Sequence, residues 1–204
     1  MATRGEATKE RILAAAEGLV FERGYAGTSL DEIIEKVGLT KGAFFYHFKS
    51  KADLAQGIIE RFSRQEQMLF EQWAERASAL ADDPLQDILL FFKFFEEFVD
   101  GAEDPLPGCM FASYAYQSGE FSDALNAQVQ NELTEWGALF ERKFEKLIAW
   151  REPRMQATAS ELTEAAMCVI EGALLLGRVY QDSKLLVRQS GQFRNYLQLL
   201  FAAK

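Results

Sequence analysis

Helical periodicity runs almost without interruption along the 204 residues, and no segment alternates apolar with polar side chains well enough to make a half-buried strand. Ile12, Ala16, Leu19 and Val20 form one stripe of a first helix from about Thr8 to Arg23, closed by Gly24. Thr28-x-x-Asp31 and Ser29-x-x-Glu32 both read as capping boxes. They open a second helix with Leu30, Ile33, Ile34 and Val37 on one face, stopped by Gly38. A short third helix runs from Lys41 to Phe48 with Thr40 as its N-cap, and Ser50-x-x-Asp53 caps a fourth that continues toward Trp73. Asp82-Asp83-Pro84 starts a Phe-rich helix, and Asp104-Pro105-Leu106-Pro107-Gly108 is the strongest loop signal. Beyond it lie a short apolar helix from Cys109 to about Gln117 and a long one from about Phe121 to Trp150. A helix capped by Thr158-x-x-Glu161 spans about 159–181, and a last one carries Phe193 to Phe201. The expected fold is all-α, with about nine helices.

Composition narrows the chemistry. The chain holds one histidine, His47, too few for the usual zinc sites, di-iron bundles or Ser-His and Cys-His nucleophile pairs. It has no G-x-x-x-x-G-K-[ST] or G-x-G-x-x-G to cradle a nucleotide. Neither an enzyme nor a cofactor-binding or metal-binding protein is expected. Cys109 and Cys168 form no CxxC and read as reduced, small apolar side chains. The N-terminus lacks the apolar run of a signal peptide, and charges interrupt every long apolar stretch. A cytoplasmic protein with no membrane partner is expected.

Two short amphipathic helices joined by the turn Gly38-Leu39-Thr40-Lys41 make a helix-turn-helix pattern. A reading helix needs an uncrowded N-terminus with polar groups that reach the major groove, and Thr40, Lys41, Gly42 and Ala43 supply one. Phe44 and Phe48 face the core, Tyr46 and His47 another side, and Lys49 and Lys51 follow as phosphate contacts. The formal charge of −9 argues against a nucleic-acid partner until it is divided. Residues 1–51 carry 8 basic and 7 acidic side chains, whereas residues 52–204 carry 14 and 24. The acidic excess belongs to the part kept away from DNA.

Residues 8–62 resemble the DNA-binding head of the tetracycline-repressor (TetR) family. The resemblance rests on Ile12-Leu13, Phe21-x-x-x-Gly24-Tyr25-x-x-Thr28-Ser29 through Ile33, Val37-Gly38-Leu39-Thr40-Lys41-Gly42, Tyr46-His47-Phe48-x-x-Lys51 and Leu54. It implies that Thr28 and Ser29 touch phosphate, that Thr40, Lys41, Gly42 and Ala43 face bases, and that Tyr46, His47 and Lys51 hold the backbone. Phe45 stands where many members carry a tyrosine; its ring either touches a thymine methyl, with no hydroxyl to donate a hydrogen bond, or packs in the core.

A head at 1–51 and a ligand-binding and dimerisation body at 52–204, joined by the fourth helix at about 51–73, are expected. Phe91, Phe95, Phe98, Met110, Phe111, Tyr114, Trp136 and Phe140 are candidate linings of an apolar pocket. Glu96, Glu97 and Asp100 lie near that cluster and would suit a cationic ligand. The helix at 159–181 is apolar around most of its circumference, which calls for burial against more than its own domain. Ile170, Leu174, Phe193, Tyr196, Leu197 and Leu200 are the candidate dimer contacts. The resemblance implies a homodimer on a pseudo-palindromic double-stranded operator, released by a small-molecule inducer. A nucleoid-associated or adaptor protein with the same head and no inducer is the alternative.

Overall fold

The computed structural model describes residues 3–102, 106 and 108–203. Among them are nine α-helices and one 3-10 turn, with no strand: α1 (Arg4–Arg23), α2 (Leu30–Val37), α3 (Lys41–His47), α4 (Lys51–Leu80), α5 (Pro84–Asp100), α6 (Met110–Ala115), α7 (Asp123–Trp150), α8 (Ala159–Tyr180) and α9 (Leu185–Leu200). Asp104, Pro105 and Pro107 of the expected loop lie outside the described residues. No described helix is long and apolar enough to cross a membrane.

Local chemistry sets the boundaries. α1 begins at Arg4, four residues before the start expected at about Thr8, because Thr3 and Glu6 form a reciprocal capping box. At α2 the box is closed by Ser29 and Glu32; the neighbouring Thr28 is buried instead. Gly38 ends α2 at φ 67°, ψ 37°, a left-handed conformation that side chains with a Cβ resist. Asp83 caps α5, with Pro84 in its first turn, and Thr158 and Glu161 cap α8.

The caps carry a pH dependence. Backbone and hydroxyl donors at Thr3, Ser29 and Thr158 hold the carboxyls of Glu6, Glu32 and Glu161 below the ordinary glutamate range. Groups lowered in the folded state add stability that is present above the unfolded carboxylate value and lost as pH falls through the lower, folded one. The urea midpoint is therefore expected to drop on acidification below the ordinary glutamate range. A Glu6→Gln/Glu32→Gln/Glu161→Gln variant should show a shallower drop; an identical profile would mean the caps do not couple to protons. Thr158→Ala is expected to lower unfolding free energy by about 1 kcal/mol in the same assay.

The chain divides into two compact units. The first joins Met1–Glu66 to Cys109–Glu132, the second Gln67–Gly108 to Leu133–Lys204. In the first, Ile12, Leu13, Ala16, Ile33, Ile34, Phe44, Phe48, Leu54 and Ile58 make a buried core. Tyr25, Tyr114 and Phe121 add an aromatic cluster in which Tyr114 and Phe121 stack with centroids 4.7 Å apart. Gln117 fastens this cluster to the turn after α1 by accepting from the Ala26 amide at 2.9 Å.

In the second unit α5 packs on α9 and α8 on α9 around a core rich in rings. Phe92 stacks on Phe140 at 5.6 Å, and Phe70 on Trp136 at 5.4 Å. Two buried charges are matched within it. Lys143 donates to both Asp87 carboxylate oxygens at 2.8 Å, and Glu96 accepts from Ser190 Oγ at 3.0 Å and Arg194 Nη1 at 2.7 Å. Removing one partner from such a pair leaves an uncompensated buried charge, so these contacts fix the packing of α5 on α7 and α9.

Candidate nucleic-acid interface

The helix-turn-helix is built from α2, its Gly38 turn and α3, with α1 behind them. Arg11 of α1 donates to the Val37 carbonyl at 2.9 Å and so holds the end of α2. Phe44 and Phe48 are buried, and Phe44 packs against both Phe45 and Phe48. With that face anchored, the opposite face of α3 has to be solvent-facing. Thr40 caps the helix by accepting from the Ala43 amide at 3.2 Å. Thr40, Lys41 and Gly42 are exposed, and nothing stands within 4 Å of where a Cβ on Gly42 would sit.

Most of the residues expected from sequence to read DNA share this surface. Phe45 is 41% exposed and Tyr46 78%, so the phenyl ring lies at the surface with one edge against Phe44. His47 is half-buried, its ring edge-on to Tyr46 at 5.1 Å. Lys41 pairs with Asp31 of α2 at 2.9 Å. Both side chains are about two-thirds exposed, and such pairs are worth little in water, so Asp31 holds Lys41 only weakly. Lys49 donates to the Phe45 carbonyl at 3.1 Å, where it complements the negative end of α3.

Thr28 and Lys51, also expected contacts, are buried wholly or in part. Thr28 is only 2% exposed and its hydroxyl donates to the Gly24 carbonyl at 2.9 Å, so the structure turns it into the core rather than to phosphate. Two overlapping capping patterns were present in sequence, and Ser29, which is exposed, uses the one at the surface. Lys51 is half-buried with its amine 4.4 Å from the Tyr25 ring centroid. Burial lowers its pKa, and the Glu120 carboxylate opposes that shift.

The eight candidate pocket residues are not one set. Phe91, Phe95, Phe98, Trp136 and Phe140 belong to the second unit, where Phe70 and Trp73, not singled out from sequence, interleave with them. Met110, Phe111 and Tyr114 belong to the first unit, among Tyr25, Phe62 and Phe121. Two of the three acidic side chains near the Phe cluster are engaged, Glu96 by Arg194 and Ser190 and Asp100 by Lys184, while Glu97 is exposed. Glu96 and Asp100 do not offer free carboxylates to a cationic ligand.

The dimer candidates also divide. Ile170, Phe193, Leu197 and Leu200 are buried in the core of their own chain, and Leu174 is half-buried. Tyr196 alone of the six is exposed. The exposed apolar side chains on these helices are Leu175, Leu176, Val179 and Tyr180 of α8, with Leu199 beside Tyr196 on α9.

An all-helical chain with this capped, outward-facing third helix is a helix-turn-helix protein. Residues 12–58 match the family model for bacterial regulatory proteins of the tetR family. Residues 84–192 match the C-terminal domain of LmrA/YxaF-like transcriptional regulators. The HTH-type transcriptional regulator LmrA of Bacillus subtilis is 28% identical over 176 residues, 86% of this chain and 89% of that protein. The HTH-type transcriptional repressor BepR of Brucella suis is 45% identical over 71 residues, 33% of this chain and 34% of that one. Among solved structures, a TetR-family regulator from Agrobacterium tumefaciens superimposes with a TM-score of 0.81 at 21% identity, covering 98% of this chain and 100% of its own. A TetR regulator from Chloroflexus aurantiacus gives 0.80 at 25% identity, covering 96% of each. The chain belongs to the TetR family of transcriptional regulators, and its body is of the LmrA/YxaF-like kind.

Proposed function

We propose that the protein is a ligand-responsive repressor that binds a pseudo-palindromic operator as a homodimer. The observation that carries this reading is the exposed N-terminal end of α3, where Thr40, Lys41 and Gly42 stand clear above a buried Phe44. In this account Lys41 with Thr40, Gly42 and Ala43 reads base edges, and Phe45 meets a thymine methyl. Ser29, Tyr46, His47 and Lys51 hold the phosphate backbone.

A head this small reads only a few base pairs, so two copies are needed for a specific site. The exposed face of Leu175, Leu176, Val179, Tyr180, Tyr196 and Leu199 supports self-association, because one patch can meet its own copy about a two-fold axis. The aromatic core of the second unit supports binding of a small lipophilic inducer. Such a compound releases DNA only if it prefers the non-binding arrangement, by whatever factor separates the two affinities.

Selection of duplexes from a random library by the full chain tests the reading. The expected product is an inverted repeat with half-sites about one helical turn apart; recovery of unrelated sequences would overturn it. Two lysine variants then separate the roles. Lys41→Ala is expected to cost about 1–3 kcal/mol at one base pair and relax preference there, and Lys51→Ala to weaken all sequences alike and lower the salt slope by about 1. Equal behaviour of the two would contradict the division between reader and clamp.

A further inference from the structure

A groove of about 350 Å³ opens on the second unit, bounded by Leu80 at the end of α4, by Gln86, Leu89, Leu90 and Lys93 of α5, and by Arg194 of α9. Its volume falls at the lower end of the range for small-molecule sites. The α5 residues follow the i, i+3, i+4, i+7 spacing of a single helix face, so the groove has an apolar floor that ends at a cation. None of these six residues is in the aromatic cluster considered for the inducer.

The charges at that end do not cancel. Glu96 is buried and accepts from Arg194 Nη1 at 2.7 Å, while Lys93 Nζ stands 3.9 Å from the same oxygen and is about half exposed. Asp100 also feels the Lys93 charge but is paired with Lys184, so Lys93 and Arg194 share Glu96 and leave one positive charge at the groove wall. Arg194 gives one guanidinium nitrogen to Glu96 and keeps 27% of its side chain exposed at the groove, so donors remain for a ligand there. Leu80, at 59% exposed, leaves apolar surface open at the other end.

We infer that this groove is a second ligand site, for a monoanionic amphiphile: an unbranched fatty carboxylate whose chain lies along Leu80, Leu89 and Leu90 and whose head meets Lys93 and Arg194. The residual single charge selects a monoanion over a cation, and the leucines select an alkyl chain over a small polar acid. Carboxylate and guanidinium match in geometry, which favours a carboxylate head.

Calorimetric titration of the full-length protein with decanoate, below its micellar concentration, tests this. Decanoate is expected to bind; decanol should bind at least about tenfold more weakly and decyltrimethylammonium not at all. Lys93→Gln should weaken decanoate about tenfold, the scale of one lost charge-assisted hydrogen bond. Leu80→Ser should weaken it severalfold. Both positions are solvent-exposed, so the ligand-free melting temperatures should stay at the parent value and show that the fold is intact. Absence of binding, equal binding of the cationic amphiphile, or decanoate affinity unchanged in both variants would overturn the proposal.

Discussion

Gly42→Glu is expected to leave the protein at least as stable as the parent while lowering operator affinity by about 100-fold or more. The two halves of this expectation have separate causes. Gly42 is in the first turn of α3 with open space around its missing Cβ, so a larger side chain meets no neighbour. Glycine is also the poorest ordinary helix former, about 1 kcal/mol worse than alanine, and an acidic residue near a helix N-terminus is favourable. A carboxylate placed between a reading helix and the groove, however, confronts base acceptors and phosphates, and like charges brought together at an interface cost several kcal/mol. Urea denaturation and fluorescence anisotropy with the selected duplex check the two halves. Reduced affinity together with reduced stability would leave the reading surface unproven, and undiminished affinity would place it elsewhere.

Val179→Glu is expected to give a folded monomer with operator affinity lower by about two to four orders of magnitude, the range over which linking two weak sites raises avidity. Val179 is 64% exposed, so its replacement disturbs no packing within the chain, but two-fold symmetry would bring its charge close to a second copy of itself. Leu197→Glu offers the contrast. Leu197 is 0% exposed in the core of its own chain, and a carboxylate there has no partner, so loss of the fold rather than of the dimer alone is expected. Sedimentation of both variants distinguishes the outcomes. A Val179→Glu protein that remains dimeric would exclude this face as the contact.

The head was the most legible part of the sequence because its signals are local. Ser29-x-x-Glu32, Gly38 and Thr40 each define a helix end through bonds within a few residues, and the structure uses all three. The early start of α1 follows the same rule, since Thr3-x-x-Glu6 is another capping box ahead of the apolar stripe. The extension of α4 to Leu80 had no stop signal against it, whereas Asp83 and Pro84 then open α5. Thr28 and Ser29 illustrate the limit: both patterns were readable, but only packing decides which hydroxyl turns inward.

Tertiary placement was much less legible. A helix such as α8, apolar around most of its girth, announces that more than one neighbour buries it without saying which side belongs to which. Ile170 and Leu175 are equally apolar, yet one is buried in its own chain and the other exposed. For the same reason Tyr114 and Phe140 looked alike in sequence, although one joins the first compact unit and the other the second. Glu96 read as a carboxylate free for a ligand because Arg194 and Ser190 lie almost a hundred positions away in the chain.

The most direct test of the central claim is sedimentation of the full-length protein with the duplex it selects. Two chains per inverted repeat are expected, with no comparable complex on a scrambled duplex of the same length and none with Gly42→Glu. One chain per duplex, or equal binding of selected and scrambled DNA, would contradict a dimeric operator-reading regulator.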